Sequence, residues 1–421
     1  MGGPGAHVEA RLAVDRLVRA EAGRVIASLI RTYGDFDLAE DAFQDAVAVA
    51  LERWPTDGVP RRPGAWILTA ARRRAVDRLR RQATRTDKAS ELKVLADLTQ
   101  PDAEPDLDAM AIPDDRLALM FTCCHPALAQ PAQVALTLRT LGGLPTPSIA
   151  RALLVPHATL SQRLVRAKKK IKQAGIPFRV PPPDLWPERL GSVLAVVYLI
   201  FNEGYLASSG ELLRADLCDE AIRLATVLHE LAPDEPEVAG LLALLLLHDS
   251  RRATRLAPDG TLVTLEDQDR TRWDAEQIAR GTQLLRDALR TRRLGPYQLQ
   301  AAIAAVHAEA ATPDDTDWWQ IVGLYSALAE LQPGPVIALN RAVAVAMAAG
   351  PAHGLALIDQ DAIAGPLADY HWFHAARADL LRRAGRHDEA RESYVEATKR
   401  ATNPVERAYL ERRLQELTTP P

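Results

Sequence analysis

Cysteine is scarce in this chain of 421 residues, with only Cys123, Cys124 and Cys218. Three thiols give no disulfide framework, so the fold must rest on a hydrophobic core, and a reducing cytoplasm is the expected compartment. Aromatic residues are also few, at 5%. Long apolar runs are missing: the longest, Val238 to Leu247, is about half of the ~20 residues that a membrane span needs and reads as a buried helix. Met1-Gly-Gly-Pro-Gly5 has no charged start followed by an apolar run, so neither a signal peptide nor a membrane partner is expected. No phosphate-binding glycine loop, nucleophile elbow or zincin motif occurs. The expectation is therefore a protein that is not an enzyme, with no catalytic residue and no cofactor. The chain is 48% hydrophobic and 25% charged, which suits a folded soluble protein of two to four domains.

The absence that carries most information is of acid. From Arg116 through Pro183 there is no Asp or Glu. Within that window lies Pro147 to Gly175: a short apolar helix over Ser148 to Leu154, a bend forced by Val155-Pro156-His157, and a second helix from about Thr159 to Gln173. Leu160, Leu164, Ala167 and Ile171 form its buried stripe. Its polar side carries Ser161, Gln162, Arg163, Arg166, Lys168, Lys169, Lys170 and Lys172. This is the pattern of a helix-turn-helix with a basic outer face, an electrostatic footprint for phosphate. A solvated lysine face on an ordinary bundle helix is the plainer alternative.

Charge divides the rest. Residues 1–183 hold 27 Lys+Arg against 20 Asp+Glu, a net of +7, whereas 184–421 hold 24 against 35, a net of -11. At the front, a helix over 8–33 is predicted to bury Leu12, Leu17, Val25, Ile26, Leu29 and Ile30. A second, over 37–54, turns Ala42, Ala46, Val49 and Trp54 inward and Glu40, Asp41, Gln44, Asp45 and Glu52 outward. That acidic surface suits either plain solvation or protein docking. After a turn-rich loop, Pro55 to Pro63, a third helix runs to about Gln82 on a stripe of Leu68, Ala71, Ala75 and Leu79. Residues 61–85 hold nine arginines and a single acid, Asp77, which sits four residues from both Arg73 and Arg81. Trp66 beside guanidinium groups is the make-up of a single-strand reader, since bases stack on both; a core tryptophan is the alternative. Residues 86–115 then carry nine acids and two lysines and read as a linker. Two short helices over 115–124 and 132–141 support the helix-turn-helix.

Together these segments resemble the sigma-70 family of bacterial transcription initiation factors, and within it the extracytoplasmic-function group. Glu40-Asp-Ala-Phe-Gln-Asp45 is similar to the segment that grips the clamp helices of the polymerase largest subunit. Ala65 to Arg81 is similar to the segment that melts and reads the -10 element, and Ile149 to Ala167 to the -35 reader. The resemblance implies polymerase contacts from Glu40, Asp41, Gln44 and Asp45. It implies -10 contacts from Arg61, Arg62, Trp66, Arg72, Arg73, Arg74, Asp77, Arg78 and Arg81. It implies -35 contacts from Thr159, Ser161, Gln162, Arg163, Arg166, Lys168, Lys169 and Lys170. The implied partners are core RNA polymerase and promoter DNA. Two positions depart from the pattern: Arg73, where the family often has Asn, and Leu154, where it often has Gly.

A subgroup with a long helical extension is also resembled, through Asp115-Arg-Leu117, Phe121 to Leu128, Ile200 to Tyr205, Leu265 to Arg270 and Gly295 to Ile303. Residues 184–421 show amphipathic helices and short turns, with no strand alternation. Ala375 to Gly385, Arg386 to Ala390, Tyr394 and Ala397 are similar to a tetratricopeptide repeat, and Pro335, Asn340 to Gly350 and Ala356 to an earlier copy. Pro236 to His248 is a third, degenerate match. The expected architecture is all-α: sigma region 2 over 1–85, an acidic linker over 86–113, a region 4 helix-turn-helix over 114–177, and a helical extension over 184–421. Phe201 to Tyr205 with His248 and Asp249 is expected to be hydrogen bonding between helices. Cys123-Cys124-His125 and the His371/His374 pair lack a second ligand pair at finger-like spacing, so no metal is expected. The opposite charges and the proline-stiffened join at Phe178 to Pro187 predict that the extension docks on the region 4 module and regulates it in cis. A helix-turn-helix regulator with a peptide-binding repeat domain is the rival reading.

Overall fold

The computed structural model of the chain describes residues 4–86, 115–153, 155–206 and 212–417. The acidic linker beyond Thr86 and the family departure at Leu154 lie outside them. Regular structure among the described residues is helical, apart from one isolated antiparallel bridge between Leu256 and Leu262. The chain divides into two compact units, residues 1–196 and 197–421.

In the first unit, α1 (Pro4–Tyr33), α2 (Phe36–Asp57) and α3 (Pro63–Thr86) form a bundle. Gly34, at φ 67°, makes the turn out of α1. Asp35 then caps α2 by accepting from the Leu38 amide at 3.0 Å. Ala42, Phe43, Ala46 and Trp54 of α2 are buried against Val25, Ile26, Leu29 and Ile30 of α1 and Ile67, Leu68, Ala71 and Ala75 of α3. Two expectations fail. Leu12, assigned to the core by periodicity, is 55% exposed. Helix α2 also runs past Trp54 through Pro55, so the loop starts later than its turn formers suggest.

Next come α4 (Arg116–Cys123), α5 (Gln130–Thr140), α6 (Thr146–Ala152) and α7 (His157–Gln173). Leu160, Leu164, Ala167 and Ile171 of α7 are all buried, as their spacing predicts, and Pro156 stands at its N-cap. Cys123 and Cys124 lie in the core of this module with their sulfurs on Thr140 and Thr137. Burial pushes both thiols up, that of Cys124 to about 12, so they serve as small apolar residues. Helix α8 (Trp186–Tyr205) begins in this unit. Its Trp186 ring lies 5.0 Å from that of Phe121, and Arg189 donates to the Phe121 carbonyl at 2.9 Å.

The second unit contains α9 (Ala215–Leu231), α10 (Pro236–Asp249), α11 (Ala275–Arg290), α12 (Pro296–Glu309), α13 (Trp318–Leu331), α14 (Pro335–Ala349), α15 (Pro351–Ile358), α16 (Asp361–Ala364), α17 (His371–Arg383), α18 (His387–Arg400) and α19 (Pro404–Glu416). The apolar run of α10 is buried because α9, α11 and α12 all pack on it. Helices α17 and α18 form the hairpin expected of a tetratricopeptide unit. Gly385, at φ 76°, makes its turn, and Ala378, Ala390, Tyr394 and Ala397 are buried at the crossing. The earlier copy is cut short: after Gly350, at φ 102°, α15 is eight residues long.

Candidate nucleic-acid interface

The basic helix α7 offers three surfaces. Its N-terminal turn leaves Thr159 and Gln162 exposed, with Ser161 and Arg163 half-buried beside them. The middle and end leave Arg166, Lys169 and Lys170 exposed. Lys168 does not join them. It is 14% exposed and its ammonium lies 2.9 Å from Glu40 and 2.8 Å from Asp37 of α2. Burial pulls its pKa down, and the two carboxylates outweigh this, so it stands above the ordinary lysine value. The expectation that Lys168 faces outward with its neighbours is thus corrected.

The acidic face of α2 needs the matching correction. Asp41 and Gln44 are exposed and Asp45 is half-buried, but Glu40 is 6% exposed. Its carboxylate meets Lys168 and, at 3.4 Å, Arg139 of α5. Asp41 and Asp45 pair instead with Arg78 of α3, the latter at 2.8 Å. The charge-assisted bond to Asp45 holds the guanidinium pKa above its ordinary value. Asp37 and Arg139 are participants that sequence reasoning missed, because their contacts run between modules.

Along α3, Arg73, Arg81 and the preceding loop residues Arg61 and Arg62 are exposed, and Arg74 is half-buried. Arg72 reaches Ser28 of α1 at 3.5 Å. Arg81 is held by the carbonyl oxygen of Asp77 at 3.1 Å rather than by its carboxylate. A groove of about 570 Å³ between α2 and α3 is walled by Asp45, Glu52, Arg74, Arg78 and Arg81. Trp66 sits half-buried at the head of α3, edge-on to the buried Trp54 at 5.6 Å. The Trp54 contact anchors the ring while part of it stays exposed, which is compatible with stacking.

In the second unit the polar groups turn on one another. Glu203 pairs with Arg214 at 3.3 Å, and the Tyr205 hydroxyl accepts from Arg251 at 3.0 Å. Asp249 takes Arg252 at 2.6 Å and Gln277 at 3.1 Å. A side chain at Gly204 would meet the Cys218 backbone nitrogen at 2.7 Å, so that glycine sets how closely α8 and α9 approach. Glu237 accepts the amides of Tyr297 and Gln298 at 3.0 and 3.1 Å, binding the start of α12. Arg270 donates to the carbonyls of His307 and Ala310, both at 2.7 Å, binding its end. His371 and His374 diverge, to Glu406 at 3.1 Å and to the Ala368 carbonyl at 2.7 Å. Glu203, Tyr205 and Asp249 thus take part in the hydrogen bonding expected of Phe201 to Tyr205 with His248 and Asp249.

No helix among the described residues is long and apolar enough to cross a membrane. Residues 17–85 match the model for sigma-70 region 2, residues 118–171 that for sigma-70 region 4, and residues 189–289 a family of unknown function (DUF6596). An uncharacterized protein of Rhizobium meliloti (strain 1021) is 45% identical over 401 residues, 94% of each chain. A probable ECF RNA polymerase sigma factor SigI of Mycobacterium tuberculosis, matched in strains CDC 1551 / Oshkosh and ATCC 25618 / H37Rv, is 25% identical over 164 residues, 39% of this chain and 56% of that protein. No solved structure matches.

Proposed function

The chain belongs to the sigma-70 family as an extracytoplasmic-function-like factor with an added C-terminal helical domain, and from that premise we propose that it binds core RNA polymerase in the cytoplasm, directs it to specific promoters, and performs no bond chemistry of its own. The observation that carries this reading is the pairing on one chain of an acidic face on α2, open at Asp41 and Gln44, with two separate basic readers. A helix-turn-helix regulator needs only α7. It has no use for Trp66 anchored on Trp54 among arginines. The exposed guanidinium groups of α3 supply phosphate affinity, and Trp66 receives a base extruded from the melted strand. The test is run-off transcription on genomic fragments with purified core: transcripts with discrete starts appear only with the protein added. Promoter-independent binding without transcription defeats the reading.

Within α7 the roles divide by position. Arg163 lies in the N-terminal half, the part of a recognition helix that meets base edges. Arg163→Ala is expected to cost about 1–3 kcal/mol at one promoter position and to relax preference there. Lys169→Ala is expected to weaken specific and random DNA alike and to lower the salt slope by about one phosphate. Competition binding at several salt concentrations checks both, and equal losses on specific and random DNA for Arg163→Ala would refute its assignment.

We further propose that residues 184–421 regulate the sigma modules in cis. The net -11 of the extension beside the net +7 of the front supports this.

A further inference from the structure

Two runs that the sigma modules leave unexplained, Ile200 to Tyr205 and Leu265 to Arg270, contribute to a group of arginines in the second unit. Arg251 donates to the Tyr205 hydroxyl at 3.0 Å and to Nδ1 of His248 at 2.8 Å. Arg255 is buried, lies 3.8 Å from the centre of the Tyr205 ring and donates to the Tyr205 carbonyl. Arg270 lies 5.0 Å from the centre of the Trp273 ring and donates to the carbonyls of His307 and Ala310. Every one of these partners is uncharged, and among the described residues none of the three arginines forms an ion pair. Two carboxylates act on them from further off and are engaged elsewhere: Asp315 accepts from the Thr312 hydroxyl at 2.7 Å, and Glu406 lies 3.1 Å from His371.

The result is a positive interior. Burial pulls His307 down to about 4, with Arg251 and Arg270 adding to it, so the ring is neutral near pH 7. Burial, and after it Arg251, likewise lowers Arg270. Charge held in such a setting is stabilised by an opposite charge brought close.

Arg270 and His307 also line a cavity of about 570 Å³, a volume within the ~300–1,000 Å³ of small-molecule sites. Each keeps a buried nitrogen, Nε and Nδ1 respectively, with no hydrogen-bond partner among the described residues. An acceptor that reaches them gains hydrogen bonds that the fold leaves unmade. Leu265, Trp318, Val343 and Met347 give the wall an apolar stretch. The remaining charges limit the charge of the ligand. The wall holds four arginines and four acids. Arg382 and Arg383 pair with Asp379 and Arg413 with Glu416, each at 2.7 Å, which leaves Arg270. A polyanion would meet the acids, whereas a single negative charge meets Arg270.

We propose that this cavity binds a small organic monocarboxylate, with its carboxylate against Arg270 and His307 and its apolar body against Trp318 and Met347. The site lies wholly in the second unit and is independent of the roles assigned to the front modules.

The experiment is calorimetric titration of the full chain with 2-naphthoate, with its neutral counterpart 2-naphthamide, and with acetate. The naphthoate is expected to saturate one site and to bind at least tenfold more tightly than either of the others. Arg270→Gln removes the charge but also releases the end of α12. Met347→Trp is therefore the companion variant, since it fills the cavity and leaves every guanidinium in place. Each is expected to weaken 2-naphthoate at least tenfold. The comparison of naphthoate with naphthamide needs no variant: equal affinities, or no saturable binding of the naphthoate, overturn the proposal. So does full affinity in both variants, which puts the site elsewhere, and so does displacement of the naphthoate by equimolar inorganic phosphate, which makes the site one for phosphate.

Discussion

Asp41→Arg combined with Asp45→Arg is expected to lower affinity for core RNA polymerase about 100-fold, equivalent to ~2.7 kcal/mol. Both carboxylates are accessible, with 58% and 38% of their side chains exposed. Among the described residues their one side-chain partner is Arg78, itself 32% exposed. Losing such surface pairs costs the fold at most about 1 kcal/mol each. Helix α2 is held instead by Phe43, fully buried, and by Trp54 at 3% exposure, neither of which the substitutions touch. In an interface the same change replaces two attractive contacts by two repulsive ones, where charge pairs are less screened and the penalty is larger. Titration of labelled protein with core measures the loss, and a melting temperature within a few degrees of wild type shows that the bundle survives. Wild-type affinity with an intact fold would remove this face from the docking surface.

The parts of this molecule legible in its sequence are those set by local periodicity and by backbone chemistry. The stripe from Leu160 to Ile171 is buried because every third or fourth residue of one helix meets the same neighbour. Gly385 is visible as a turn because few residues other than glycine tolerate its φ of 76°. Periodicity says which side of a helix faces its own module and is silent about neighbours far along the chain. Lys168 falls among Lys169, Lys170 and Lys172 on the polar side of α7, and its contacts with Glu40 and Asp37, 128 and 131 residues away, distinguish it. Leu12 fails in the reverse direction: it has the residue type of a core position, yet it is 55% exposed. Leu265 to Arg270 and Gly295 to Ile303 are family-like runs in the sequence, and a contact that involves them appears only in three dimensions, where Glu237 and Arg270 hold the two ends of α12.

Trp186→Ala combined with Leu190→Ala is expected to destabilise the first unit by about 4 kcal/mol and to abolish binding to a -35 fragment, although neither residue lies near the basic face of α7. The sequence places both in the extension. The structure places both in the core beneath the helix-turn-helix: Trp186 covers Phe121, Leu190 is 4% exposed, and Val193 and Leu194 continue the buried side of α8. Truncating a buried leucine costs about 2–5 kcal/mol, and a tryptophan with part of its ring exposed adds less than the ~3–5 kcal/mol of a fully buried one. Arg189 alone cannot hold the helix, since its bond to the Phe121 carbonyl contributes only ~1.5–3 kcal/mol. The consequence bears directly on cis regulation. A chain ending at Pro183 loses the first turns of α8 along with the rest of the extension, so its loss of activity reports a damaged region 4 as much as a missing regulator. The double substitution in the full chain separates the two, because residues 197–421 stay intact. Denaturant unfolding should show the first unit melting early while the second keeps its transition. A single unchanged transition with wild-type DNA affinity would return α8 to the extension and make truncation at Pro183 a fair test of regulation.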